Sequence, residues 1–150
     1  MHKLLLPFIL IAAPVTQGCA TLTMPKTLDE KAAVAAEVGK FATLVYHSQK
    51  EEVDPDGTIA AVYKTFSTVL GKTEEASSSE LFKSALVLAI KAQVKDPAQQ
   101  ALALGLVDIY WDKLAARVGI GKLYGTDLLV VLKAFKSGVE EMRAVIKGPE

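Results

Sequence analysis

The sequence predicts an all-α fold, a single bundle of about five helices, and three observations predict it. Apolar residues recur at three- and four-residue steps in five separate stretches, the spacing of one helix face. Helix-start signals stand directly before three of those stretches: Thr27-Leu28-Asp29-Glu30, Ser77-Ser78-Ser79-Glu80 and Asp96-Pro97. No segment shows a sustained alternation of apolar and polar residues that would favour strands over these helices.

Taken in order, the first helix is expected from about Leu28 to Lys50, with Thr27 as its cap and Glu30 reaching back to close a capping box. Val34, Val38, Phe41 and Val45 form its expected inner face. Asp54-Pro55-Asp56-Gly57 is read as a proline-initiated turn. A shorter helix follows, with Ile59, Val62, Tyr63, Phe66 and Leu70 inward and Gly71 at its C-terminal cap. After the polar loop Lys72 to Ser79, Leu81, Phe82, Ala85, Leu86, Ala89 and Ile90 give the third face. Asp96 caps a fourth helix with Pro97 at its first position, and Gly119 ends it. The middle of that helix, Leu102 to Trp111, is apolar nearly all round, which predicts a central helix. Gly119 to Gly125 is a connector. Thr126 then caps a fifth helix carrying Leu128, Val131, Leu132, Phe135, Val139, Met142 and Ile146, which ends at Gly148-Pro149. Phe41-Ala42-Thr43-Leu44-Val45 and Phe66-Ser67-Thr68-Val69-Leu70 echo one another, as though two helices used equivalent surfaces.

Length and charge narrow the function classes. A chain of 150 residues is the size of one domain and can bury a core without metals or disulfides. Lys and Arg number 17 and so do Asp and Glu, so the basic excess usual in nucleic-acid binders is missing. Cys19 is the single cysteine, so no intramolecular disulfide can form.

The N-terminus has the order of an export signal: Lys3, an apolar run from Leu4 to Ile11, then Ala12, Ala13 and the short polar stretch Thr16-Gln17-Gly18 before Cys19. In this it resembles bacterial lipoproteins, although Thr16 stands where their lipobox carries Leu or a similar residue. The resemblance covers only about the first twenty residues. It implies a signal peptide over residues 1–18, a lipidated tether over 19–26 and a helical-bundle domain over 27–150. Cys19 would carry the acyl chains, palmitate among them, and Ala20 resembles the class sorted to the outer membrane. Cleavage after Ala20 without lipidation, favoured by the small-x-small spacing of Gly18 and Ala20, is the alternative, and an uncleaved anchor or buried helix is another.

Four constellations offer chemistry. Glu52-x-Asp54-x-Asp56-Gly57 resembles the start of an EF-hand calcium loop, which makes Glu52, Asp54 and Asp56 the candidate metal ligands. The bidentate glutamate of such a loop is replaced by Tyr63, so the expectation is no metal and an acidic turn favouring the next helix N-terminus. His47 and Ser48 are adjacent on one helix and point apart, so they form no nucleophile and base pair, and His47 is expected at a solvated or rim position near the end of the first helix. Asp108 and Asp112 share a helix face and could act as paired carboxylates, but cross-bundle pairing with Lys or Arg is the expectation. Gly119-Ile120-Gly121-Lys122 misses the phosphate-loop pattern, since neither Ser nor Thr follows the lysine. Tyr110-Trp111 is expected in the core.

The expected function is binding without catalysis: an envelope adaptor held to the inner leaflet of the outer membrane by lipidated Cys19, facing the periplasm and receiving an amphipathic segment of another envelope protein. Small helical pilotin lipoproteins are the analogy, by size, anchor and helical content alone. A phage- or plasmid-encoded lipoprotein that blocks a receptor or aids lysis is one alternative. An envelope hydrolase using Asp108 and Asp112 is the other. No cofactor, nucleic acid or small-molecule substrate is inferred.

Overall fold

Thr27 starts the first helix as its spacing predicts. Its hydroxyl accepts from the Glu30 amide at 3.2 Å, while the Glu30 carboxylate accepts from the Lys26 and Thr27 amides at 2.7 and 3.2 Å. Those two backbone donors hold the Glu30 carboxyl below its ordinary pKa. The computed structural model describes residues 23–49, 54–73 and 78–149, and within them five helices occur and no strand. They are α1 (Leu28–His47), α2 (Pro55–Lys72), α3 (Ser79–Gln93), α4 (Pro97–Val118) and α5 (Gly125–Lys147), with a short 3₁₀ turn, Ile120–Lys122, between the last two.

Several expected boundaries and faces shift. α1 ends at His47, three residues before the expected Lys50, which lies outside the described residues. Asp54-Pro55-Asp56-Gly57 is the cap and first turn of α2, because the Asp54 carboxylate accepts from the Gly57 amide at 2.9 Å and Pro55 occupies a first-turn position where no amide is needed. Gly71 is inside α2, and Thr73 follows its last residue as the cap. Ser78 caps α3 by accepting from the Leu81 amide, while Ser77 lies outside the described residues. Thr126 is not a cap: α5 begins one residue earlier, behind Tyr124, through the left-handed backbone of Gly125 at φ 55°. Gly119, by contrast, ends α4 in the left-handed conformation its position predicts, at φ 68°.

The largest correction concerns α1. Its buried face is Ala35, Val38, Gly39, Ala42, Thr43 and Tyr46, whereas Phe41 is 66% exposed and Val45 is also exposed. The reason is the closeness of α5. A Cβ placed on Gly138 would collide with the Ala36 carbonyl, and one on Gly39 would come within 2.5 Å of the Phe135 carbonyl oxygen. Backbones that near exclude large side chains, so α1 turns its small residues inward and its large ones out. The echo between Phe41–Val45 and Phe66–Leu70 therefore marks no equivalent surface, since Phe66 is buried. α3 likewise buries Phe82, Leu86 and Ile90 but leaves Leu81 and Ala85 exposed.

The core joins all five helices around aromatic rings. Phe66 of α2 lies with its ring centroid 5.2 Å from Phe82 of α3 and 5.5 Å from Phe135 of α5. Tyr110 of α4 meets Phe135 edge-on at 4.9 Å, and Trp111 stacks on Phe82 at 6.0 Å. Both members of Tyr110-Trp111 are buried, as expected. The Tyr110 hydroxyl bonds to that of Thr43 at 2.7 Å, which ties α1 into the same cluster. α1 and α5 form the most extensive interface and run in the same direction, because Ala36 faces Gly138 and Lys40 pairs with Glu141 at 3.0 Å. α4 packs on α1, α2 and α3.

Candidate partner-binding surface

α4 is central, as expected, but it is not enclosed all round. Leu104 and Asp108 line one groove against α3, together with Lys83, Ser84, Val87, Leu88 and Lys91, and this groove holds about 580 Å³. Ile109 and Lys113 line a shallower notch of about 80 Å³ against α1, where Phe41, Ala42, Val45, Tyr46 and Gln49 complete it. With roughly 100° per residue, positions 104 and 109 lie about 140° apart on α4. Between them runs a solvent-facing strip that includes Ala101, Gly105 and Asp112. A Cβ on Gly105 would meet nothing within 4 Å, so the middle of the strip is low and open.

Large apolar side chains stand on both sides of this strip. Phe41 and Val45 rise from α1, Leu88 from α3 with 68% exposure, and Leu102 extends from α4 itself on the α1 side. Contiguous exposed apolar surface framed by polar residues is the usual mark of an interaction site. The polar frame here is mixed, with Lys83, Lys91 and Lys113 against Asp108 and Asp112. Lys83 is tied to Asp108 at 2.9 Å, while Lys91 and Lys113 have no carboxylate partner among the described residues.

The sequence-predicted chemical groups fall apart from one another. Asp108 pairs with Lys83 across to α3, as expected, and Asp112 is exposed one turn further along with no ion pair among the described residues. Asp108 lines the groove against α3, whereas Asp112 is not among that groove's lining residues. Asp54 is occupied as the α2 cap, and Asp56 Oδ1 is hydrogen-bonded to His47 Nδ1 at 2.6 Å; Glu52 lies outside the described residues, as does Cys19. Among the described residues no group of three His, Cys, Asp or Glu side chains converges as a metal site. His47 occupies the rim position expected of it, but its bond to Asp56 joins the end of α1 to the start of α2, a contact that spacing does not reveal.

A second cleft, of about 250 Å³, opens beside that pair between the first turn of α2 and the last turns of α5, lined by Asp56, Ile59, Arg143 and Lys147 among others. The Arg143 guanidinium lies 4.6 Å from the ring centroid of Tyr63, a cation–π contact. Burial, and after it the neighbouring Glu140 carboxylate, push the Tyr63 phenol above its ordinary pKa.

Exposure of Phe41 and Val45, both expected on the inner face of α1, is what sequence reasoning missed. One signal pointed toward the strip: a glycine in mid-helix costs about 1 kcal/mol relative to alanine, so Gly105 within an otherwise apolar run marks a place where the helix surface is kept low or lightly packed. No helix of the described residues is long and apolar enough to cross a membrane. Comparison with protein families, with curated proteins and with solved structures finds no match to this chain.

Proposed function

We propose that this chain is a membrane-tethered binding module of a bacterial envelope: acylated at Cys19, placed on the periplasmic side of the outer membrane, and engaging an amphipathic helix of another envelope protein across the α4 strip. The observation that supports the binding half is the exposed quartet Phe41, Val45, Leu88 and Leu102 around the low centre at Gly105. An incoming helix with apolar residues at i, i+3, i+4 and i+7 would fill both grooves, and acidic residues on its flanks would meet Lys91 and Lys113. The observations that support the tether are the sequence order from Lys3 to Cys19 and the signal-like apolar run.

Two measurements test the halves separately. Cys19→Ser should move the protein from the membrane to the soluble fraction and abolish fatty-acid labelling; retention at the wild-type level would sink the tether. For the surface, a photo-crosslinking residue at Gly105 should capture a discrete partner in cells, and Phe41→Glu or Leu88→Glu should suppress that product while circular dichroism stays unchanged. An unaltered crosslink in both variants would exclude this face.

A further inference from the structure

We infer that one end of the bundle, formed by the lead-in to α1 and the connector between α4 and α5, docks on the lipid headgroup surface. This inference rests on the proposed acylation of Cys19. Met24 is five residues after Cys19, so a fully extended stretch between them spans at most about 18 Å. Where that stretch ends is fixed by packing. The Met24 Cε lies 3.3 Å from where a Cβ on Gly119 would be, so the lead-in is laid against the C-terminal cap of α4. The connector is itself held to the core by buried Ile120 and Leu123.

What this end offers to its surroundings suits a bilayer interface. Tyr124 is 63% exposed and makes no capping bond, and Met24, whose methyl packs toward Gly119, is still 49% exposed, so an aromatic ring and one side of a flexible thioether face outward, each two residues in sequence from a lysine, Lys122 and Lys26. Tyrosine is enriched at the headgroup level because its ring is apolar and its hydroxyl is wet, and lysine can bury its stem while its ammonium stays in water. Charge does not drive the contact: Lys26, Lys31, Arg117 and Lys122 are offset by Asp29, Glu30 and Asp127, leaving the end near neutral. Docking should therefore be indifferent to the fraction of anionic lipid. α5 starts at this end and extends about 34 Å at 1.5 Å per residue, which carries the His47–Asp56 pair and Arg143 to the far end. The α4 strip then opens sideways, toward partners that share the membrane.

The full chain, processed and acylated in the cell, would be reconstituted in phosphatidylethanolamine vesicles with and without phosphatidylglycerol. A nitroxide is attached at Tyr124→Cys or, as the distal comparison, at Lys147→Cys, with Met24→Cys as a second proximal site. Relaxation by lipid-soluble oxygen is compared with relaxation by a water-soluble nickel chelate. The expected result is an oxygen-to-nickel ratio several-fold higher at positions 24 and 124 than at 147, unchanged by phosphatidylglycerol. Equal ratios in protein that floats with the vesicles would overturn the docked end while leaving the tether intact. Protein that fails to float and takes up label at Cys19 would instead overturn the tether, and the docked end with it. Shielding of position 124 in native membranes but not in pure lipid would assign the end to a protein and reject the lipid surface.

Discussion

The same substitution should have opposite signs at two glycines. Gly105 is in mid-helix with open space around it, so Gly105→Ala should stabilise the protein by about 0.5–1 kcal/mol through helix propensity. Gly138 meets the Ala36 backbone, so Gly138→Ala should lose that gain and cost about 1–3 kcal/mol as α1 is pushed off α5. Urea unfolding of both variants measures the contrast, and two stabilising results would refute the close approach. Tyr110 makes a second residue-scale case. Burial outweighs its bond to Thr43 and pushes the phenol up to about 12. Because the unfolded phenol ionises near 10, its contribution is complete below that pH and is lost as pH rises toward 12, by up to about 1.4 kcal/mol per pH unit. Tyr110→Phe should flatten this part of the alkaline stability curve, read by unfolding at stepped pH.

At the scale of elements, helix ends are where local chemistry acts most directly. Ser78→Ala and Asp54→Ala each remove a side-chain acceptor from an orphan amide and should cost about 1 kcal/mol. Thr126→Ala should be near neutral, since α5 begins before it with no side-chain cap. Equilibrium unfolding of the three variants checks this ordering, and a loss at Thr126 equal to that at Ser78 would contradict the α5 start. The capping box at Thr27 and the N-cap at Asp96 were legible because both ends of each interaction lie within four residues. The Asp54 turn was misread for the opposite reason: Asp-Pro-Asp-Gly serves equally as a turn or as a capped first helical turn, and only the packing of Ile59 and Val62 on the core continues it as α2.

For the whole molecule, the proposed binding role and the hydrolase alternative differ in what they expect of Asp108 and Asp112. Asp108 is engaged by Lys83 in an exposed pair, and exposed pairs contribute at most about 1 kcal/mol. The double variant Asp108→Asn, Asp112→Asn should therefore keep its helical content, shift stability by no more than about 1 kcal/mol in denaturant, and alter no turnover. Hydrolysis of a peptidoglycan, lipid or phosphoester substrate by the purified protein, lost in that variant while its fold persists, would replace the adaptor reading with the hydrolase one.

The sequence by itself determined the helices, the caps at Thr27, Asp96, Gly119 and Gly148, the burial of Tyr110 and Trp111 and the rim position of His47, because each depends on residues within one or two helical turns. It also carries the signal-like order that ends at Cys19. Tertiary structure decided which face of α1 is buried. Periodicity weighs Phe41 and Val45 above Ala35, Gly39 and Ala42, yet the nearness of α5 admits only the small residues, and that nearness depends on Gly138 a hundred residues away. The exposed strip along α4 follows from the same fact. Large side chains that could not enter the α1–α5 contact were turned outward beside Ile109 and Lys113, where two helices distant in sequence make one surface.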